Sequence, residues 1–254
     1  MPGLSHKTAL VTGASKGIGR SVAVALSAAG VRVALTSRDV SSLVDVAGQC
    51  GSGSLPLALE LSDEESCAEV VATVEKEFGR LDVLVNNAGI AESSKFTDID
   101  TAMWRRIMSV DLDGPFWMTR AALPGMLSRS EGAVISIGSV ASKVGLAYAS
   151  AYTAAKHGLL GMTRALAVEY ARSGVTFNCI CPHYVDTPMT ESTIHNIMAK
   201  TNRTFDEARQ ALLTPQGDLI DPSDVAAICV LLASDAGKSI TGQAIQIDGG
   251  LVQS

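Results

Sequence analysis

Tyr152 and Lys156 stand four residues apart in the alanine-rich stretch YTAAK. Positions i and i+4 share a helix face, so a phenol and an ammonium there can converge on one space. On an ordinary amphipathic helix the pair is an edge tyrosine and a solvated lysine. The chemical alternative is a proton donor whose acidity is raised by a neighbouring cation. A free phenol has a pKa of about 10. A positive charge ~4 Å away, at an effective dielectric near ~20, is worth about 4 kcal/mol. That field predicts a fall of roughly 3 pH units, toward neutrality, where a general acid/base works best.

A second group concerns phosphate. The octet TGASKGIG, residues 12–19, follows an apolar strand pattern and opens a helical one, the setting that a dinucleotide site requires. Gly13 permits the tight turn, Gly17 lets the backbone approach a pyrophosphate, and Gly19 allows close packing of helix on strand. The helix N-terminus then offers unpaired N–H groups and a partial positive charge. NAD sites usually place an acidic side chain at the end of the second strand, for the ribose 2′-OH. Here that end reads LTSRD. Ser37 and Arg38, with Lys16 in the glycine loop, suit the 2′-phosphate of NADP, which a guanidinium can grip with two parallel hydrogen bonds. Asp39, one residue on, is the counter-evidence and keeps NAD as the runner-up.

The elements that must position these groups alternate. Strand patterns fall at 7–12, 31–36, 54–59, 81–85, 132–138, 174–181 and 243–247. Helical patterns lie at 18–29, 39–47, 63–78, 101–128, 151–172 and 222–233. Several strands are apolar on both faces, as when helices cover both sides of a parallel sheet. The predicted fold is α/β: a single domain over 1–254, a Rossmann-type doubly wound parallel sheet of about seven strands. Pro115 falls inside the fifth helical pattern, where it removes a hydrogen bond and bends the axis. Residues 187–217 form a polar insertion with helical pieces of its own, placed where open α/β sheets bind ligands; it is a lid or a passive excursion.

Composition narrows the class. The 254 residues are 47% hydrophobic and 18% charged, with a net charge of −6, which describes a globular chain. No Lys/Arg-rich block offers a nucleic-acid surface. Charged residues interrupt every stretch long enough to span a bilayer, and the N-terminus carries no secretory pattern. The five cysteines lack zinc-like pairing, and Cys179 and Cys181 read as small core side chains. No His/Cys/carboxylate cluster suggests a metal. A reducing cytoplasm is the expected location.

TGASKGIG, NNAG at 86–89, Ser139 after VISIG, YTAAK, CPHYVDTP at 181–188 and ITGQAIQIDGG at 240–250 stand in an order and spacing that resembles the short-chain dehydrogenase/reductase family over nearly the whole chain. The resemblance implies a hydride-transfer enzyme. Tyr152 would be its general acid/base, Lys156 the activator and ribose ligand, and Ser139 the donor to the substrate carbonyl. It also implies cofactor contacts from Gly13, Ser15, Lys16, Gly17, Ile18, Gly19, Ser37, Arg38, Glu60, Leu61, Val110 and Pro182. Asn87, Ala88 and Gly89 would line the adenosine side, and Val185 and Thr187 would grip the nicotinamide carboxamide. Family members are commonly tetramers built on two long helices and the last strand, and the C-terminal stretch QAIQIDGGLVQS offers an apolar edge to a partner.

Three positions depart from the family. Asp111 replaces an asparagine that acts as a fourth catalytic member. Its carboxylate could attract Lys156 and would oppose the lowering of the phenol pKa. Pro182-His183 replaces Pro-Gly, which makes His183 a pocket wall or a substrate contact. Glu60 replaces an aspartate near adenine. Substrate choice is expected from the 140–148 loop, Lys143, His183, Tyr184 and Met189. These surroundings, mostly small and apolar, suit an aliphatic or acyl carbonyl. Lys143, Lys200, Arg203 and Arg209 could meet phosphates of coenzyme A or of a carrier protein. The expected activity is NADPH-dependent reduction of a ketone such as a 3-oxoacyl thioester. A secondary-alcohol or 3-hydroxyacyl dehydrogenase running in reverse is the first alternative, and a cofactor-binding protein without catalysis is the remote one.

Overall fold

The computed structural model describes residues 3–253. Met1 and Pro2, part of the N-terminal stretch read above, and Ser254, the last residue of the C-terminal edge, lie outside them. Seven strands form one parallel sheet in the order β3-β2-β1-β4-β5-β6-β7. They are β1 (Thr8–Val11), β2 (Arg32–Ser37), β3 (Leu55–Ala58), β4 (Val83–Asn86), β5 (Gly132–Ile137), β6 (Val175–Pro182) and β7 (Ala244–Ile247). The helices are α1 (Gly17–Ala28), α2 (Val44–Cys50), α3 (Glu64–Phe78), α4 (Thr101–Met108), α5 (Gly114–Arg129), α6 (Ser150–Glu169), α7 (Pro188–Lys200), α8 (Phe205–Gln210) and α9 (Pro222–Ala233).

Strand alternation decides which face each side chain serves. Ala9, Val11, Val83, Val85, Ile135 and Ile137 point to the side covered by Val22 and Leu26 of α1 and Val225 and Cys229 of α9. Leu10, Leu84, Val134 and Phe177 point the other way, onto Val70 and Val74 of α3 and Met118 and Met126 of α5. Central strands are therefore buried on both faces. Only the edge strand β3 alternates between half-buried and exposed, and it carries Pro56, which an edge position tolerates. The helix stops and starts are local. Asp63 accepts from the Glu65 N–H to begin α3, and Gly79, at φ +81°, ends it.

The fifth helical pattern is not one bent helix. It is α4, a π-turn at Ser109–Asp113, and α5, which begins just before Pro115. Pro115 has no N–H for the carbonyl four residues back, that of Asp111. The π-turn accommodates the missing bond; it adds a residue and turns Asp111 into the protein, where it is fully buried.

Between β6 and β7 the chain makes a separate excursion. Its base is closed by a parallel bridge between Val185 and Ile220, with the Ile220 N–H donating to Tyr184 O and the Asp186 N–H to Ile220 O. Inside it Ile194, Ala208 and Leu212 form a small core of their own.

Candidate active site

Strand order reverses between β1 and β4, and the glycine loop after β1 meets the NNAG turn after β4 at that switch point. Open α/β sheets bind ligands there. The Thr12 hydroxyl accepts from the N–H groups of Asn87 and Ala88, at 2.9 and 3.0 Å. The Asn87 amide in turn donates to the carbonyls of Thr12 and Gly13, at 2.8 and 3.2 Å. Asn87 thus lines the cleft while its side chain braces the glycine turn. A Cβ on Gly19 would collide with Gly13 O and the Asn87 amide. That glycine is buried beneath the cleft and does not line it. Gly13 and Gly17 adopt φ of +65° and +55°, which favour glycine.

The N-terminus of α1 is open. Its cap residue, Lys16, makes no side-chain capping bond, whereas Asp63, Asp100, Thr187, Thr204 and Asp221 cap the starts of α3, α4, α7, α8 and α9. The free N–H groups and the absence of a Cβ at Gly17 fit a dinucleotide pyrophosphate. Arg38 and Lys16 are exposed at the same end of the cleft and form no ion pair among the described residues. Asp39, the residue that kept NAD in play, is engaged locally. It caps the turn at Val40–Leu43, accepting from the Ser41 N–H and hydroxyl at 2.9 and 2.7 Å. Glu60 likewise folds onto Ser62, accepting from its N–H and hydroxyl at 3.1 and 2.6 Å, and these bonds hold its pKa below the usual range.

At the far side of the glycine loop, β5 delivers Ser139 and the first turns of α6 deliver Tyr152 and Lys156. Ser139 Oγ accepts from the Ala141 N–H at 3.1 Å, which leaves its own proton to donate, and it hydrogen-bonds the Tyr152 hydroxyl. Lys156 is buried, with Nζ 5.6 Å from the Tyr152 ring centre and donating to Ile137 O at 3.1 Å. Asp111 Oδ1 is 3.4 Å from the same Nζ and accepts from the Ile90 N–H at 3.2 Å. Gly89 makes room for that carboxylate; a Cβ there would strike Asp111 Oδ1. Asp111 does pair with Lys156. The expected direction of the phenol is corrected, however. Burial first, and then Asp111, lift Tyr152 above its ordinary pKa despite the opposing pull of Lys156 and Ser139. Desolvation of the phenolate, which the spacing of charges along the chain does not reveal, outweighs the cation. Burial alone would lower Lys156, but Asp111 and Tyr152 raise it above its ordinary value.

One continuous cleft is lined by Ser15, Ile18, Ser37, Leu61, Ala88, Val110, Pro182, Val185 and Thr187 together with the groups above. Thr187 caps α7 and donates to Val185 O at 3.2 Å. His183, Tyr184 and Met189 also line it. The ring centres of His183 and Tyr184 are 4.8 Å apart, edge to face, and His183 keeps an ordinary φ. Lys143 does not line it. It leaves the turn after Ser139 toward β7 and donates to Gln246 Oε1 at 3.3 Å. Arg203 and Arg209 also lie outside, and Lys200 donates to Ser93 O at 2.9 Å. Residues missed in the sequence include Glu92, Ser93, Thr193 and Asn196. They carry no motif; only the approach of the post-β4 loop to α7 brings them to the cleft. Among the described residues no group of three metal-ligating side chains gathers, and no helix is long and apolar enough to cross a membrane.

A parallel sheet with an open glycine turn at its switch point defines a dinucleotide-binding α/β protein. A family model described as enoyl-(acyl carrier protein) reductase matches residues 13–252. D-beta-hydroxybutyrate dehydrogenase of Cupriavidus necator is 35% identical, over 98% of this chain and 99% of its own length. The 3-oxoacyl-(acyl-carrier-protein) reductase FabG of Vibrio cholerae is also 35% identical, over 98% of both chains. The crystal structure of a variant actinorhodin polyketide ketoreductase with NADPH superposes with a TM-score of 0.92 at 32% identity, covering 96% of this chain and 97% of that one. The chain belongs to the short-chain dehydrogenase/reductase family. It is an oxidoreductase that uses a nicotinamide dinucleotide and acts on CH–OH/C=O groups.

Proposed function

We propose that this enzyme reduces the ketone of 3-oxoacyl thioesters or closely related ketones with NADPH, and that Ser139, Tyr152 and Lys156 carry the chemistry. The observation behind this reading is their convergence in the cleft that begins at the uncapped N-terminus of α1. A nicotinamide bound in this cleft would supply a hydride to the carbonyl carbon. Tyr152 protonates the carbonyl oxygen as charge builds on it, and Ser139 donates a hydrogen bond to that same oxygen. Lys156, anchored by Ile137 O and Asp111, keeps a positive charge beside the phenol. Arg38, Lys16 and Ser37 hold the 2′-phosphate, a choice supported by the engagement of Asp39 with Ser41. Relatives named for 3-oxoacyl and acetoacetyl-CoA reduction at 35% and 36% identity support the substrate class.

The excursion at 187–217 serves as the lid of a single domain. Lys200 latches α7 to Ser93 across the mouth. Exposed Phe96, Trp104 and Phe116 on the α4–α5 side support a homotetramer, and five unpaired thiols fit a cytoplasmic location.

Turnover of acetoacetyl thioesters, simple ketones and secondary alcohols with both nicotinamides tests the assignment. Tyr152→Phe should lower kcat by about a thousandfold or more while NADPH still binds. A Tyr152→Phe enzyme of undiminished rate would remove the phenol from the reaction. A dehydrogenase of a 3-hydroxy acid is the second reading, favoured by the relative from Cupriavidus necator.

A further inference from the structure

The end of β6 brings one more polar side chain to the cleft. β5 and β6 run in register with Ile137 beside Ile180, and the Gly138 N–H donates to Ile180 O at 2.7 Å. Ser139 is still extended, at φ −163° and ψ 167°. The same register therefore sets it beside Pro182, about one strand spacing (~4.8 Å) away. His183 is the next residue, and its N–H donates to Ile247 O of β7 at 3.0 Å. Cys181 before it and Tyr184 after it both interact electrostatically with the Tyr152 phenol. His183 thus stands at the reacting end of the cleft, which it lines.

The two nitrogens of its ring differ. Nδ1 is buried and has no hydrogen-bond partner. Asp248 attracts the ring, but its carboxylate is committed to the C-terminal turn. Oδ1 accepts from the Gly250 N–H at 2.9 Å, and Oδ2 accepts from the Val252 N–H at 2.9 Å and from Gln246 Nε2 at 3.3 Å. A proton on Nδ1 would be buried without an acceptor, so the neutral ring carries its proton on Nε2. Burial also disfavours the cation and holds the imidazole below its ordinary pKa. Among the described residues Nε2 has no partner either, and it is the nitrogen that burial leaves open. Tyr184 packs edge to face on the ring, at 4.8 Å between centres, and fixes its plane.

Ser139 and Tyr152 both serve the ketone oxygen. A neutral donor beside Ser139, with no acceptor in the protein, suits a second acceptor on the same substrate. Such a bond forms in the bound ground state and persists in the transition state, so it acts on KM more than on kcat. Glycine, which the family carries at this position, has no side chain to make it.

We propose that His183 is a substrate-orienting residue, whose Nε2–H donates to a second carbonyl oxygen of the substrate close to the reacting ketone. This rests on the reading of Ser139, Tyr152 and Lys156 as the centre of carbonyl reduction.

Ethyl acetoacetate carries such an oxygen, and 2-heptanone, of the same chain length, does not. The test measures kcat and KM for both with NADPH in the wild type, in His183→Phe, which keeps an aromatic wall without the donor, and in His183→Gln, which keeps a side-chain N–H. In His183→Phe the KM for ethyl acetoacetate should rise about fivefold to tenfold. The rise for 2-heptanone, followed as a substrate or as a competing inhibitor, should be roughly a third of that or less. His183→Gln should bring the KM for the ester back to within about twofold of the wild type. His183→Gly should match His183→Phe, and it decides the case in which phenylalanine does not fit. If 2-heptanone neither reacts nor binds, the contrast between His183→Gln and the two variants without a donor decides alone. An ester KM in His183→Phe equal to that of the wild type makes His183 a wall and overturns the proposal. Equal losses for both ketones, or a His183→Gln enzyme no better than His183→Phe, overturn it as well. All of these leave carbonyl reduction intact. Failure of the wild type to reduce either ketone with either nicotinamide overturns the carbonyl-reduction reading instead, and this contact falls with it.

Discussion

Burial of the Tyr152 hydroxyl and the nearby Asp111 carboxylate together hold the phenol protonated beyond the ordinary tyrosine range. A protonated phenol is the form that donates, so ketone reduction has its acid in place at neutral pH. Alcohol oxidation needs the phenolate, and its rate should keep rising with pH past that ordinary range. Asp111 raises both Tyr152 and Lys156. In Asp111→Asn both groups should titrate lower, and the alkaline rise of alcohol oxidation should move to lower pH. A pH–rate profile that stays where it was in the wild type would rule out this coupling. At the other end of the cleft, Arg38→Asp should weaken NADPH by about tenfold to a hundredfold and improve NADH, because it replaces a phosphate partner by a diol partner. Equal losses for both cofactors would assign Arg38 to general stability.

At the scale of elements, α1 owes its position to Gly19. The helix starts against the turn because no side chain stands between Gly19 and the Gly13 carbonyl. Gly19→Ala should destabilise the fold by about 2 kcal/mol through overpacking, lowering Tm by roughly 5 °C, and should weaken the cofactor by shifting the free N–H groups. An unchanged melting curve and unchanged NADPH affinity would show that the contact relaxes freely. The π-turn acts in a comparable way on the other face. It places Asp111 inward beside Gly89, whereas an unbroken helical register from Thr101 would rotate the residues that follow it. These two local geometries, one of glycine and one of proline, decide where the charges of the site lie.

For the molecule as a whole, ligand binding and folding are linked, since the cleft draws on loops from both halves of the sheet. Saturation with NADPH at ~100 times its Kd should add about 2.7 kcal/mol to stability, raising Tm by roughly 5–10 °C. NADH at the same concentration should give a smaller rise, and equal shifts would contradict the preference for NADP. Thermal melts with each cofactor measure this directly.

Fold class, strand order of appearance and the glycine turn were legible in the sequence because each depends on near neighbours. Alternation over four to eight residues sets a strand's faces, and Gly13, Gly17 and Gly19 act within one turn. The pairing of Tyr152 with Lys156 was legible for the same reason, being one helical step. Other features depend on segments far apart in the chain. The fate of Lys143, the local engagement of Asp39, the bracing role of Asn87 and the arrival of Glu92 at the cleft were set only when the chain folded. The phenol's pKa belongs with them: a charge four residues away can be read from a pattern, but the exclusion of water that outweighs it is a property of the packed interior.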